Sequence, residues 1–227
     1  MAKQHNTSYE SSMTDLMISL ALIFMLLLAS VMLKINNQAV ELTQTRKELI
    51  VELSDILNQM HRSDIDVMPD EKDPLTLKVV LGDGEDSLKF ATGKYNLTSK
   101  NQEFLNDLMP RIISTLMGDK YKDSIDTIRI EGYTDDDKYM VNGRNINVEL
   151  SQSRALEVLN HTRKFSLKKE SEQEFFIQKA SINGKGDIKN YWITNSDGSC
   201  NKAKSRRVEI KIKIRSKDEE NLSKSSK

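Results

Sequence analysis

Two places in this chain carry side chains whose type and spacing could do chemistry. The first is Asp15, at the leading edge of the run Leu16 to Leu33, which holds neither a charge nor a proline. A carboxylate inserted at such a depth can bind and release a proton or a sodium ion. It needs a partner protein or a water-filled path to do so, because facing lipid would be costly. Ser11, Ser12 and Thr14 could hydrate it. A helix cap or interfacial charge outside the hydrocarbon is the competing role, and position alone leaves the two even. The second place is Glu131-Gly132-Tyr133-Thr134-Asp135, followed by Asn147-Val148-Glu149-Leu150-Ser151-Gln152-Ser153-Arg154-Ala155. An acid on a loop and a guanidinium in the first turn of a helix capped by Ser151 could together hold a zwitterion, such as an amino acid with ammonium and carboxylate ends. A structural Asp135–Arg154 ion pair is the more common outcome for two such residues.

Other chemistries are poorly served. Asp135, Asp136 and Asp137 are adjacent, but without the Gly and Glu spacing of a calcium loop they read as an acidic surface turn. The one cysteine, Cys200, excludes an intrachain disulfide, and His5, His61 and His161 stand too far apart for zinc spacing, so no metal is expected. No paired carboxylates and no nucleophile–histidine set point to an enzyme. With 34 basic and 34 acidic side chains the formal charge is zero, which argues against a nucleic-acid binder.

Elements must position these residues. As a helix, Leu16 to Leu33 would span roughly 27 Å, close to the hydrocarbon thickness of a bilayer. A cleaved signal peptide fits less well: the start offers only Lys3, and Ala29-Ser30 is followed by more apolar residues. Tyr9 and Lys34 are natural interface anchors, and the roughly 36 Å of helix between them would set Asp15 about one turn inside a tilted span. Positive charges on both flanks do not decide orientation; export of the larger folded part favours an inside N-terminus. Beyond Lys34, Leu42, Leu49 and Ile56 recur every seven residues beside Leu53, Leu57 and Met60. That pattern suits a helix pairing with its own copy, or a single amphipathic helix lying on the globular domain or the bilayer. Pro69 and Pro74 then mark a linker.

Thr76 to Leu81 reads as a strand, Gly82-Asp83-Gly84 as a turn and Asp86 to Phe90 as its return. Asn96 to Met117 reads as a helix capped by Thr98 or Ser99, with Pro110 a kink or break. Ile125 to Glu131 is a strand, Leu150 to Lys164 a helix and Phe175 to Ile182 a strand. Val208 to Arg215 is a final strand whose Glu209, Lys211, Lys213 and Arg215 form a solvated face. The expected architecture is α+β: a cytoplasmic tail (1–10), one transmembrane helix (11–34), a helical or coiled-coil linker (35–74), a sandwich of a mixed sheet with two helices on one side (75–215), and a disordered tail (216–227).

The pattern Gly-Tyr-Thr-Asp, then Asn-x-x-Leu-Ser-x-x-Arg-Ala, then Gly184-Lys185-Gly186, then Arg206-Arg207-Val208 before the last strand resembles the OmpA-like peptidoglycan-binding domain over roughly Leu75 to Arg215. The resemblance implies that Asp135 and Arg154 clamp the diaminopimelate of the cell-wall stem peptide, with Thr134, Asn147 and Leu150 lining the pocket. Tyr133 stands where that family usually has His, and the Asp135-to-Arg154 interval is longer than usual, enlarging the loop that bears Asp136, Asp137 and Lys138. Such a domain behind one membrane helix with an acid at its inner edge resembles the stator B subunits, the MotB family of flagella and the ZorB family of the Zorya anti-phage system. That implies several further properties. Asp15 exchanges the coupling ion, H+ or Na+, without another cofactor. A homodimer of B helices sits inside a ring of multi-span A subunits, and Ile35 to His61 helps keep the channel closed until anchoring. The location is the bacterial inner membrane, with the N-terminus cytoplasmic and the C-terminal domain periplasmic. Flagellar members usually carry aromatic residues and an Ala-Asp pair at the start of the span; Ser-Met-Thr-Asp-Leu-Met favours the Zorya type. A flagellar stator, a passive wall tether in which Asp15 only caps the helix, and an ExbD/TolR-type transducer are the alternatives.

Overall fold

The computed structural model describes residues 3–60, 65–71, 73, 75–81, 88 and 90–215. The expected turn at Gly82-Asp83-Gly84, most of the return to Phe90, the tail from Ser216, and the side chains of Tyr9, Ser11, Ser12 and Leu42 lie outside the described residues. The chain divides into two units, Met1–Thr45 and Arg46–Lys227. Helix α1, Lys3–Gln59, contributes to both.

In the first unit, Met13–Asn36 has a mean hydropathy of 2.8 and is 0% buried. Leu16, Phe24 and Leu27 are each at least 60% exposed, so the helix is apolar on every side rather than along one stripe. Helices of that kind match hydrocarbon rather than water. Asp15 is exposed on this segment.

The second unit uses the end of α1 differently. Leu49, Leu53 and Leu57, one face of the helix at i, i+4 and i+8, are 0%, 1% and 2% exposed and belong to the core of the folded unit. Glu52 accepts a 2.7 Å hydrogen bond from the Tyr121 hydroxyl on the same side. Of the alternatives for this stripe, pairing with another copy or lying on the globular domain, Leu49, Leu53 and Leu57 take the second. Pro69 does not mark a linker: Ile65–Pro69 is strand β1, which pairs antiparallel with β2, Thr76–Leu81, in the register Ile65↔Leu81 to Pro69↔Leu77, while Pro74 lies outside the described residues. Pro69 is tolerated because it ends an edge strand.

Helix α2, Ser99–Leu116, is capped by Thr98, whose hydroxyl accepts from the Asn101 amide at 3.2 Å, and it runs through Pro110 without ending. Strand β3 is Ile125–Gly132; the short strands β4, Met140–Val141, and β5, Arg144–Asn145, form a hairpin; α3 is Asn147–His161. Phe175 to Lys179, expected as strand, ends helix α4, Glu170–Lys179, and only Ala180–Gly184 becomes β6. The segment explains this: Ile177 is its only β-branched residue among Glu, Gln, Lys and Phe, Glu170 and Glu172 suit a helix start, and Phe176 is fully buried on one face. After helix α5, Lys202–Ser205, strand β7, Val208–Ile214, closes the sheet. Among the described residues the main sheet has five strands in the order β1-β2-β7-β3-β6, antiparallel except for the parallel pair β3 and β6. This is an α+β fold with helices packed on a mixed sheet. Leu77, Val79, Ile128, Ile130, Ile210 and Ile212 point into the core, where Leu105, Leu108 and Ile112 of α2 and Val158 of α3 meet them.

If the end of α1 is part of the core, Leu53→Ala should destabilise the folded unit by about 2–5 kcal/mol. Chemical denaturation followed by tryptophan fluorescence reads this, and an unchanged midpoint would return the segment to a linker role.

Candidate functional site

Strand β3 leaves the sheet through Gly132-Tyr133-Thr134-Asp135, and what lets α3 approach it is the lack of side chains at two glycines. A Cβ on Gly132 would stand 1.9 Å from the Ser151 carbonyl oxygen, and one on Gly184 would stand 2.5 Å from that of Val148. Backbone lies directly on backbone. Ser151, expected as the helix cap, sits inside α3, its Oγ donating to the Val148 carbonyl at 2.8 Å and accepting from the Gly186 amide at 2.9 Å. The helix begins earlier, at Asn147, whose amide donates to Asn145 Oδ1 at 3.1 Å. Arg154 consequently stands beyond the first turn, away from the free amides of the helix start.

Arg154 is 0% exposed. Its Nε donates to the Lys94 carbonyl at 2.9 Å, Nη1 to that of Tyr133 at 2.9 Å and Nη2 to that of Ala91 at 3.2 Å. The guanidinium carbon is 5.3 Å from the centroid of the Phe90 ring. Burial pushes its pKa down, to about 10, and Asp135 opposes that shift, so the group stays charged at neutral pH.

Asp135, 5% exposed, pairs with Arg206 at 2.5 Å from Oδ2 to Nη1. An Asp135–Arg154 ion pair is not formed among the described residues. Arg206 Nε donates to the Phe90 carbonyl at 3.2 Å, and the Phe90 amide returns a 3.2 Å bond to Arg206. Thr134 donates its amide to the Gly186 carbonyl, while its hydroxyl is buried without a hydrogen-bond partner among the described residues. Asn147 Nδ2 donates to the Asp137 carbonyl at 2.8 Å, and its Oδ1 accepts from the Tyr139 amide at 3.3 Å. Leu150 is 7% exposed. Thr134, Asp135, Asn147, Leu150 and Arg154 thus gather where β3 exits and α3 begins, whereas Asp15 belongs to the other unit.

The sequence motif contains Arg206 but assigns it no role. Its signal was register: β3 and β7 pair antiparallel with Gly132 opposite Val208, so the residues just outside that pair, Tyr133 to Asp135 and Arg206-Arg207, must come together. The Tyr133 amide donates to the Arg207 carbonyl at 2.9 Å, and Arg207 lies 4.2 Å over the Tyr133 ring.

The enlarged loop folds back on this corner. Asn142 and Gly143, at φ 49° and 75°, make the two-residue turn of the β4–β5 hairpin, for which Asn-Gly is the preferred sequence. The Tyr139 ring rests on Gly93, where a Cβ would stand 2.6 Å from it. Lys202 pairs with Asp137 at 2.5 Å and with Asp136 at 3.9 Å, and Asn145 Nδ2 donates to Asp187 Oδ2 at 3.0 Å.

Residues 89–206, which contain the whole constellation, match the OmpA family. The chain belongs to the OmpA family. It is similar to the Zorya protein ZorB of Escherichia coli, 25% identical over 217 residues that cover 92% of this chain and 89% of the relative. Among solved structures it is similar to a MotB-like protein from Desulfovibrio vulgaris, at 21% identity and a TM-score of 0.49, covering 77% of this chain and 94% of that one. It is also similar to the periplasmic domain of Helicobacter pylori MotB, at 20% identity and a TM-score of 0.45, covering 66% and 79%.

Where this OmpA-family member carries Tyr133, the ring turns away from Asp135 into the polar side of the sheet. Its hydroxyl is 2.7 Å from Glu131 Oε2 and 3.2 Å from Glu209 Oε2. Lys211 reaches Asp70 at 2.8 Å and Glu131 at 3.0 Å, with its side chain only 12% exposed. The face expected to be solvated is a half-buried charge network. Burial alone would raise the Glu131 carboxyl, but the Tyr133 hydroxyl and the Lys211 and Lys185 ammonium groups hold it below its usual range. Burial likewise opposes the charge on Lys211, yet Asp70 and Glu131 raise its pKa.

Two outcomes follow from this geometry. Gly132→Ala should destabilise the fold by at least about 1–3 kcal/mol, because the new methyl meets main chain rather than a movable side chain; thermal melting measures it. A depressed carboxyl contributes stability above its unfolded value and loses it as pH falls through the folded one. Melting temperatures are therefore expected to drop as pH falls below 4.5, with that part of the drop missing in Glu131→Gln.

Proposed function

We propose that this chain is a stator-like B subunit: a single-pass inner-membrane protein that conducts H+ or Na+ together with a multi-span A-type subunit and grips peptidoglycan with its OmpA-family domain. The observation that carries the reading is the extent of the similarity to ZorB. It covers 92% of this chain, too much to be confined to the folded unit, Arg46–Lys227, so span and domain are shared together. Working in anti-phage defence, as a homodimer with its N-terminus in the cytoplasm and the domain in the periplasm, is the finer form of the proposal and rests on that likeness.

The physical roles divide between the units. Asp15 is the one acid within the apolar segment Met13–Asn36. Protonation neutralises it and changes which face of an A subunit it prefers, and each elementary charge crossing the membrane supplies about 2.3 kcal/mol per 100 mV. Torque needs a fixed point. The pocket around Thr134 and Asp135, walled by Asn147, Leu150 and Arg154, supplies it by holding the diaminopimelate of the stem peptide, a zwitterion for which buried opposite charges are suited.

Co-expressed with its multi-span partner and reconstituted in vesicles, the wild-type pair should pass ions, and Asp15→Asn should assemble normally and pass none. Unimpaired flux in that variant would reduce the protein to a passive tether. The wild-type chain should also co-sediment with purified sacculi, and cells carrying the pair should resist phage only with Asp15 intact.

A further inference from the structure

Helix α3 has a second polar end. It starts at the exit of β3, and roughly 20 Å further along, at His161, it passes into a π-helical turn, Thr162–Ser166, that lies against α2. Toward the core the two helices present Leu105, Leu108 and Val158. On the outer side they border a groove of about 410 Å³ in which Phe165 is the one apolar lining residue. That volume is within the range of small-molecule sites. Helix α2 supplies Gln102 and Asn106, one turn apart; α3 and its π turn supply Glu157, Asn160, His161 and Lys164, which share a face at i, i+3, i+4 and i+7.

Part of this lining is fixed and part is free. His161, 7% exposed, has Nε2 at 3.1 Å from Asn106 Oδ1 and is bonded by the Gln102 main chain as well. Ser166 Oγ donates to the same Asn106 oxygen at 2.9 Å. Among the described residues, Asn106 Nδ2 and the side chains of Glu157, Asn160 and Lys164 have no hydrogen-bond partner, and Gln102 has only a 3.5 Å bond from Nε2 to the Leu97 carbonyl. Burial lowers the His161 pKa, so its ring is neutral at pH 7 and the charges of the groove are one carboxylate and one ammonium. Such a balance selects neither an anion nor a cation. The π turn holds Phe165 outward at the rim, 54% exposed, its ring 5.2 Å from that of His161. Turns of this kind occur mostly at functional positions. This one leaves the buried Thr162 hydroxyl without a partner, so its own hydrogen bonding does not explain it.

A carboxamide offers an acceptor and two donors in one plane, which suits neighbouring hydroxyls or an amide that both donates and accepts. An aromatic face, negative at its centre, suits the C–H side of a saturated ring. A ligand with hydroxyls, an amide, one apolar face and no net charge is an N-acetylated hexosamine. We propose that this groove binds one N-acetylhexosamine ring of a glycan strand, with Asn106 and Asn160 meeting its acetamido and hydroxyl groups and Phe165 its C–H face. The wall-binding reading above supplies the source of the strand. The site stands at the opposite end of α3 from the one that reading uses, so the domain holds a strand as well as a stem.

The test titrates the full-length chain in nanodiscs with tetra-N-acetylchitotetraose and with maltotetraose, which lacks the acetamido groups, by ligand-observed NMR. Wild type should bind the first saturably and the second at least about fivefold more weakly. Asn160→Leu and Phe165→Ala, both at partly exposed positions, should keep the wild-type melting temperature and each weaken the N-acetylated sugar about two- to tenfold, the range of one neutral hydrogen bond or one stacked ring. Should one variant melt lower, the other decides. No saturable binding by wild type, equal affinity for the two sugars, or an unchanged affinity in both variants overturns the proposal; sedimentation with sacculi in that case spares wall binding. Sugar binding by a chain that does not sediment with sacculi supports the site and overturns the wall reading instead.

Discussion

A guanidinium removed from water governs this domain. Taking a charge out of solvent costs several kcal/mol unless its hydrogen-bonding groups are met, and Arg154 meets that cost with carbonyls from two parts of the chain distant in sequence. Charge-assisted hydrogen bonds of this kind contribute about 1.5–3 kcal/mol each. Their arrangement makes the 91–94 segment, the exit of β3 and helix α3 a single body. Everything at the candidate site is referred to that body: Phe90 sits beside both guanidinium groups, Tyr139 rests on Gly93, and Asp135 is delivered by the strand that supplies the Tyr133 carbonyl.

Such close assembly depends on two positions with no side chain. Gly132 and Gly184 end neighbouring parallel strands, and at both the nearest obstacle to a Cβ is the main chain of α3. Residues with side chains there would hold the helix off the strands and carry Arg154 away from the Tyr133 carbonyl. The two faces of the sheet then have separate duties. One is apolar and packed by helices; on the other, Glu131, Tyr133, Glu209 and Lys211 satisfy one another, so the polar ends of β3 and β7 hold their shape beside the candidate site.

Helix α1 presents two kinds of surface in one element. From Met13 to Asn36 it is apolar around its whole circumference; at Leu49, Leu53 and Leu57 only a stripe is apolar. The difference is the difference between a solvent of hydrocarbon and a docking face of protein. A polar residue within the first surface stands out energetically, and Asp15 is the one acid in the segment Met13–Asn36.

Much of this was legible in the residues alone. The apolar helix is declared by composition, β7 by strict alternation and α2 by a cap at Thr98 or Ser99 and its apolar face, because each is a local property of consecutive residues. The helix over the motif Asn147 to Ala155 was legible for the same reason. Other features needed the folded chain. The stripe at Leu49, Leu53 and Leu57 is equally suited to another helix or to this sheet, and only packing chose the sheet. Phe175 and Phe176 read as strand until the core claimed one of them from a helix. Asp135 had two arginines within reach of the motif, and its choice of Arg206 follows from the register of β3 against β7, a pairing between segments far apart in sequence that no local pattern encodes. Sequence determines which faces are apolar and which residues carry charge; tertiary structure decides which partner each face and charge meets, because that choice depends on distances closed only when the sheet is assembled.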